Sequence, residues 1–274
     1  MSLVSNEGSN LSNQPSLPVA VDPDINDNPA PKIPITILLD VSGSMLPENP
    51  EDYEYSRLGR VEQALREIVE AITGSMDLRN SVAFRVIFFG LADEEKNHSK
   101  IYATDFYDVT NFNVDDHWWK FGDVGRAGGL SPLNEAMITA IDGYDKGLRS
   151  SFKSSGAKAY APWFITISDG LPTDDEVQER AKRLIERSGS VGFEFLAIAI
   201  DDKSLIEVLK MFSPKADVIP IDRLNLLSLV QPLTDVFGTI TRSDVSNQEV
   251  NLAQQASEAI TSGDDGSTAV DGWL

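Results

Sequence analysis

The stretch ILLDVSGSM, residues 37–45, carries an apolar run into Asp40 and then presents Ser42 and Ser44 on either side of a glycine. The run begins upstream, in KIPITILL at 32–39, and its unbroken apolar character predicts a strand buried on both faces. Three small oxygen-bearing side chains directly after such a strand suit a turn, a nucleophile, a phosphate cradle or half of a metal site. The rest of the chain has to choose among them.

Working outward, strands and helices alternate. RVEQALREIVEAITGSM (60–76) spaces Val61, Leu65, Ile68, Val69 and Ile72 at helical intervals, and SVAFRVIFFG (81–90) reads as a second buried strand. SPLNEAMITAIDGYDKGL (131–148) predicts a helix with Ser131 at its N-cap and Pro132 in first helical position. APWFITISDG (161–170) is a third strand, DEVQERAKRLIERSG (175–189) a charged helix closed by Gly189, and VGFEFLAIAI (191–200) a fourth strand. A short helix near SLIEVLKMF, a weak strand in ADVIPI (216–221) and a last helix, NLLSLVQPLTDVFGTI, kinked or shortened by Pro232, complete the pattern. The fold class predicted is α/β: a doubly wound, mostly parallel central sheet flanked by helices, in a single domain over 32–243. In such sheets, ligands lie outside the carboxyl ends of the strands.

The flanking segments differ in composition. Residues 1–31 are rich in Ser, Asn, Pro and Asp and residues 244–274 are similar; both contain no Lys or Arg and predict flexible acidic arms, the second with a short helix near NLAQQASEAI and an apolar end at Trp273. The whole chain has 43 Asp and Glu against 23 Lys and Arg, a formal charge of −20. That surface repels phosphate backbones and argues against nucleic acid as a partner. No apolar run reaches membrane-spanning length, the first ten residues lack a secretory pattern, and cysteine is absent, so a cytoplasmic protein without disulfides or thiolate metal sites is expected.

Three polar clusters fall at strand ends or the loops beside them: Asp40, Ser42 and Ser44; Asp169 in ITISDGLPTDD; and Ser131 after the glycine-rich GRAGG. All are oxygen donors, the chemistry of hard cations such as Mg²⁺ or Mn²⁺. Here 32–243 resembles a von Willebrand factor A domain carrying a metal-ion-dependent adhesion site. That family's Asp-x-Ser-x-Ser matches at Asp40, Ser42 and Ser44, and its later Asp at Asp169, with SDG similar to the usual TDG. The family threonine lies five residues before a small helical residue; counting back from Ala136 places Ser131 in that role, with Leu130 directly after the glycine pair. The resemblance implies that Ser42, Ser44 and Ser131 hold the cation directly and that Asp40 and Asp169 act largely through water. It also implies a binding module, not an enzyme, whose partner is a protein supplying an Asp or Glu carboxylate. Within the family the chain looks most like bacterial tellurite-resistance and stress-response members, which implies a protein kinase and phosphatase pair nearby; other stand-alone members pair with chaperone-like ATPases.

Enzymatic readings find little support. An aspartyl nucleophile at Asp40 calls for a second acid two residues on, where Ser42 stands, and for a nearby lysine. A serine nucleophile needs a base, and the histidines, His98 in ADEEKNHSK and His117, read as solvated loop residues. GRAGG lacks the lysine and spacing of a P-loop. Two segments enlarge the site region beyond the family's usual compactness: LPENPEDYEYSRLG (46–59), and NVDDHWWKFGDVGRAGG (113–129), which brings Trp118, Trp119 and Phe121 close before Ser131. These aromatics are either interface anchors or caps on the sheet edge. As anchors they would also serve a scaffold that binds its partner without metal.

Overall fold

The computed structural model describes residues 19–93, 98–118, 127–242 and 252–263. One sheet contains β1 (Ile33–Asp40), β2 (Val82–Asp93), β3 (His98–Ala103), β4 (Tyr107–Asp108), β5 (Trp163–Ser168), β6 (Glu194–Ile200) and β7 (Ile219–Ile221). The strand order is β3-β2-β1-β5-β6-β7, with β4 beside β2. β2, β1, β5, β6 and β7 run parallel, and β3 and β4 are antiparallel to β2. The helices are α1 (Pro23–Asp27), α2 (Arg57–Gly74), α3 (Val114–Trp118), α4 (Leu133–Gly143), α5 (Arg149–Ser155), α6 (Gln178–Ser190), α7 (Ile206–Leu209), α8 (Val230–Arg242) and α9 (Leu252–Gly263).

Side-chain alternation along the strands sorts these helices into two layers. Ile33, Ile35, Ile37 and Leu39 of β1, with Trp163, Ile165 and Ile167 of β5, form one core with α2, α3, α8 and α9. Leu38 and Phe164 join the opposite core, built with α1, α4, α5, α6 and α7. Asp40 shares the parity of Leu38, and Ser168 that of Phe164, so both side chains leave the sheet on the α4 side. Asp169, one residue on, faces the α2 side. β1 is the strand at which the chain reverses direction across the sheet, since β2 lies on one side of it and β5 on the other. The crevice at its carboxyl end is the switch point of an open α/β sheet.

Several expectations need correction. ADEEKNHSK does not stay a loop throughout: His98 opens β3, an edge strand whose few large apolar residues hid it. His117 is 6% exposed within α3, its Nδ1 3.1 Å from the Tyr102 hydroxyl and its ring stacked on Phe112. Gly189 lies inside α6, and the chain turns away at Gly192, φ 94°. Pro232 falls in the first turn of α8, where a missing N–H breaks no helical bond, and a 3₁₀ segment, Arg223–Leu229, precedes it. The segment 19–31, expected as part of an unstructured arm, is docked: Ile25 is fully buried and the Asp22 N–H donates to the Phe106 carbonyl at 2.8 Å. At the other end α9 packs Ala253, Ala256 and Ile260 into the core. Residues 1–18, 243–251 and 264–274, including Trp273, lie outside the described residues.

Candidate metal centre

The loop after β1 is fixed by backbone bonds before any side chain is considered. The Val41 N–H donates to the Phe89 carbonyl at 2.8 Å, the Gly128 N–H to Val41 at 2.9 Å, the Gly129 N–H to Gly90 at 2.8 Å, and the Gly43 N–H to Gly129 at 3.1 Å. These bonds tie the serine turn to the end of β2 and to the glycine pair that precedes Ser131. Gly90 makes the close approach possible: its φ is +90°, and a Cβ there would stand 2.7 Å from the Ser42 nitrogen. It sits at a register shift in the β2–β3 pairing, a bulge that bends β2 under the serine loop.

All five residues singled out in the sequence come together here. Asp40 is fully buried, and its Oδ1 accepts from the Ser42 N–H at 2.9 Å. Its Oδ2 accepts from Ser168 Oγ at 2.6 Å and from Ser131 Oγ at 3.2 Å. Ser42 Oγ lies 3.2 Å from Ser44 Oγ, which donates to Asp169 Oδ1 at 2.7 Å. The hydroxyls and carboxylates thus form a connected arc from Ser131 through Asp40, and from Ser42 through Ser44 to Asp169. Burial pushes the Asp40 carboxyl above the usual carboxylate range; Asp169 pushes the same way, while the bonds from Ser168 and Ser42 oppose it.

Ser131 reaches this position by a route the sequence did not predict. Pro132, not Ser131, occupies the N-cap position of α4 and provides no capping side chain. Asp174 caps the helix from across the site, accepting the Asn134 N–H at 3.2 Å and the Glu135 N–H at 2.7 Å. The Ser131 carbonyl accepts the Thr173 N–H at 2.9 Å, joining the α4 entrance to the loop after β5. Relieved of capping, the Ser131 hydroxyl is available to Asp40.

Four further residues shape the centre. Ser168 supplies the shortest bond to Asp40, a consequence of its place beside β1 in the sheet. Arg57, first residue of α2, donates from Nη1 to Asp169 Oδ2 at 2.7 Å and to the Ser44 carbonyl at 3.0 Å, and from Nε to Asp201 Oδ2 at 2.8 Å. Gly170 leaves room: a Cβ there would stand 3.4 Å from Ser131 Oγ, 3.9 Å from Asp40 Oδ2 and 4.0 Å from Ser44 Oγ. Asp174 is the fourth, through the cap. Around the rim, Leu46, Leu130 and Leu171 are exposed, one from each of the three loops. Trp118 is no part of that rim. It is 8% exposed, donates Nε1–H to the Tyr53 hydroxyl at 2.8 Å and meets Phe88 edge-on at 5.6 Å, so it caps the sheet edge. Trp119 and Phe121 lie outside the described residues.

The donor set fits a hard cation by its chemistry: oxygen only, two carboxylates and three hydroxyls, facing a space that Gly170 keeps open. Among the described residues no group of three or more His, Cys, Asp or Glu is placed to hold a metal ion, so cation binding here would depend on the hydroxyls.

No protein-family model matches the sequence, and no curated protein matches it. Solved structures do. The pilus adhesin SpaC from Lactobacillus rhamnosus GG, in its open conformation, superposes with a TM-score of 0.56 at 13% identity, over 77% of this chain and 30% of that one. The vWF domain of the type V pili tip protein Mfa5 from Porphyromonas gingivalis gives 0.52 at 10% identity, over 81% and 98%. Proximal thread matrix protein 1 from the mussel byssus gives 0.50 at 18% identity, over 75% and 48%. The chain therefore spans about half of the mussel protein and under a third of the adhesin, and nearly all of the isolated Mfa5 domain. At these identities the likeness is one of fold, and the fold is that of a von Willebrand factor A-like domain.

Proposed function

We propose that the chain is a metal-dependent protein-binding module, in which Mg²⁺ or Mn²⁺ held by Asp40, Ser42, Ser44, Ser131 and Asp169 captures an acidic side chain of a partner. The observation that carries this is the convergence of five oxygen side chains, from three loops, at the switch point of the sheet. Ser42, Ser44 and Ser131 would hold the ion through neutral hydroxyls, with Asp40 and Asp169 supplying charge through water. A bound cation would supply the positive charge that a partner's carboxylate needs. The three hydroxyls add no charge, so within this donor set only Asp40 and Asp169 would offset the charge of the ion.

The exposed leucines bear on the partner. Leu46, Leu130 and Leu171 are exposed on the three loops that carry the polar centre, so a carboxylate flanked by apolar side chains suits this face better than one in a highly charged segment. A metal-free scaffold loses support, because Trp118, one of its anchors, is buried beneath the edge. The cytoplasmic setting, with a kinase–phosphatase pair or an ATPase as neighbour, rests on the sequence resemblance alone. Two of the structural neighbours are pilus proteins by their descriptions, and a role in adhesion would use the same centre.

Calorimetric titration of Mg²⁺ and Mn²⁺ into metal-free protein tests the proposal, with Asp40→Ala as control and circular dichroism to verify its fold. Saturable binding that the folded variant loses is the expected result. Absence of binding, or equal binding by the variant, would sink it.

A further inference from the structure

Arg57, at the start of α2, has no mark of a site residue in the sequence, yet its guanidinium makes three bonds at the centre's outer edge. It covers Asp169 Oδ2 at 2.7 Å, reaches the Ser44 carbonyl at 3.0 Å and is anchored behind by Asp201 at 2.8 Å. The Asp169 side chain is fully buried, with Oδ1 taken by Ser44 and Oδ2 by Arg57. A buried carboxylate needs such pairing. Asp201 is itself held in place: its φ is +59°, Oδ1 accepts the Arg223 N–H at 2.8 Å, and its own N–H donates to Ile221 at 2.9 Å. The guanidinium is thus clamped between two carboxylates from two different strand ends.

We infer that Arg57 is an internal counter-cation that sets the charge of this centre, weakening its hold on a divalent ion while strengthening its attraction for a carboxylate. The inference rests on the metal-binding reading above. It follows from counting charges. Asp40 and Asp169 bring two negative charges to the centre, Arg57 on Asp169 offsets one, and Asp201 is matched by Arg223, which leaves a deficit of one positive charge; a divalent cation turns it into a surplus of one. Without Arg57 the loaded centre is neutral, and an incoming carboxylate finds no net charge to meet. Conversely, Arg57 already neutralises Asp169, so a cation gains less from that acid than it would from a free one. One residue therefore moves two affinities in opposite directions, which a purely structural brace would not do.

The test uses the full chain and the variants Arg57→Gln, Arg57→Ala and Arg57→Lys, with thermal melts to establish folding. Arg57 begins α2 and its side chain is 28% exposed, so both neutral replacements are compatible with the helix. Mn²⁺ binding is read from the free-ion electron paramagnetic resonance signal, and carboxylate binding from the broadening of acetate proton resonances at saturating Mn²⁺. The neutral variants are expected to bind Mn²⁺ about tenfold more tightly, within the usual range of coupling between sites, and to broaden acetate several-fold less; Arg57→Lys stays near wild type. Unchanged Mn²⁺ affinity, or weaker affinity in a folded neutral variant, overturns the inference while leaving the metal-binding reading in place. If wild type and variants all fail to bind Mn²⁺, that reading falls and the inference with it. Binding by the neutral variants alone supports the inference in its strongest form.

Discussion

Gly170→Ala separates the fold from the cation space. The added methyl would stand 3.4 Å from Ser131 Oγ, 3.9 Å from Asp40 Oδ2 and 4.0 Å from Ser44 Oγ, all ordinary contact distances. Gly170 is not among the positive-φ glycines, so alanine meets no backbone strain. The metal-free fold should barely notice the change, and by restricting the unfolded chain alanine can even add about 0.4–1 kcal/mol. A cation would notice it. Mg²⁺ needs oxygens at about 2.0–2.1 Å and keeps several waters. Those oxygens and waters would have to share with the methyl the small volume that Ser131, Asp40 and Ser44 face. Losing one charged-group interaction costs about 1.5–3 kcal/mol, which is roughly ten- to 150-fold in affinity.

The assay is a pair of melts and a titration. At Mg²⁺ about 100 times its Kd, wild type gains about 2.7 kcal/mol, worth roughly 5–10 °C in a domain of this size. Gly170→Ala is expected to melt within about 2 °C of wild type without Mg²⁺. At the same Mg²⁺ concentration it should lose most of the shift, and its calorimetric Kd should rise at least about tenfold. A folded variant that binds Mg²⁺ like wild type would refute the placement of the cation among these three oxygens.

Asp174→Ala removes the cap of α4 and should lower stability by about 1–2 kcal/mol in chemical denaturation, with a smaller loss of Mg²⁺ affinity because Ser131 enters that helix. Trp118→Ala should cost about 3–5 kcal/mol, as for other buried tryptophans, and leave the Mg²⁺ Kd within about twofold; an unchanged melt would show that Trp118 is no edge cap. Glu194 is a pH-sensitive position away from the centre. Burial pushes its carboxyl above the ordinary glutamate range, opposed by Lys215 and by a bond from the Ala253 N–H, and Oε2 has no hydrogen-bond partner among the described residues. Its ionised form therefore costs stability above the folded-state pKa, and the cost fades as pH falls toward about 4, where both states hold the proton. Glu194→Gln should melt above wild type at pH 7 to 8 and converge on it near pH 4; a difference independent of pH would refute the assignment.

What the sequence made legible follows from how many faces of an element are buried. β1, β2, β5 and β6 are covered on both sides, so their apolar runs stand out without any knowledge of partners. α2 and α6 carry helical periodicity for the same reason on one face. β3 lies at the sheet edge, and HSKIYA has too few large apolar residues to announce itself. The docked segment 19–31 rests on one buried isoleucine, Ile25, and on bonds such as the Asp22 N–H to Phe106, whose partners are far along the chain. Composition reads such a segment as an arm because the contacts that hold it are tertiary.

The same distinction runs through the metal centre. Asp40, Ser42 and Ser44 are legible because one turn places them together, and a local spacing records the turn. Spacing locates Ser131 as well, but the capping role that its position suggests belongs to Asp174, 40 residues along the chain from the Asn134 it caps. Ser168 has a signal of a kind: in β5 it shares parity with Phe164, on the side where Asp40 leaves β1. That signal becomes readable only once β5 is known to lie beside β1. Arg57 has no such signal at all. It is separated by 112 residues from Asp169 and by 144 from Asp201, and in the sequence it is an arginine at the start of a helix, where solvent exposure is the ordinary expectation. Ligand identity is written in local spacing because a cation demands small oxygen donors from a rigid turn. The charge of the centre is decided by long side chains reaching in from elsewhere, and those have no fixed offset from the motif. A motif can therefore name the atoms that would face an ion while leaving open how strongly it would be held, the quantity that the inference assigns to Arg57.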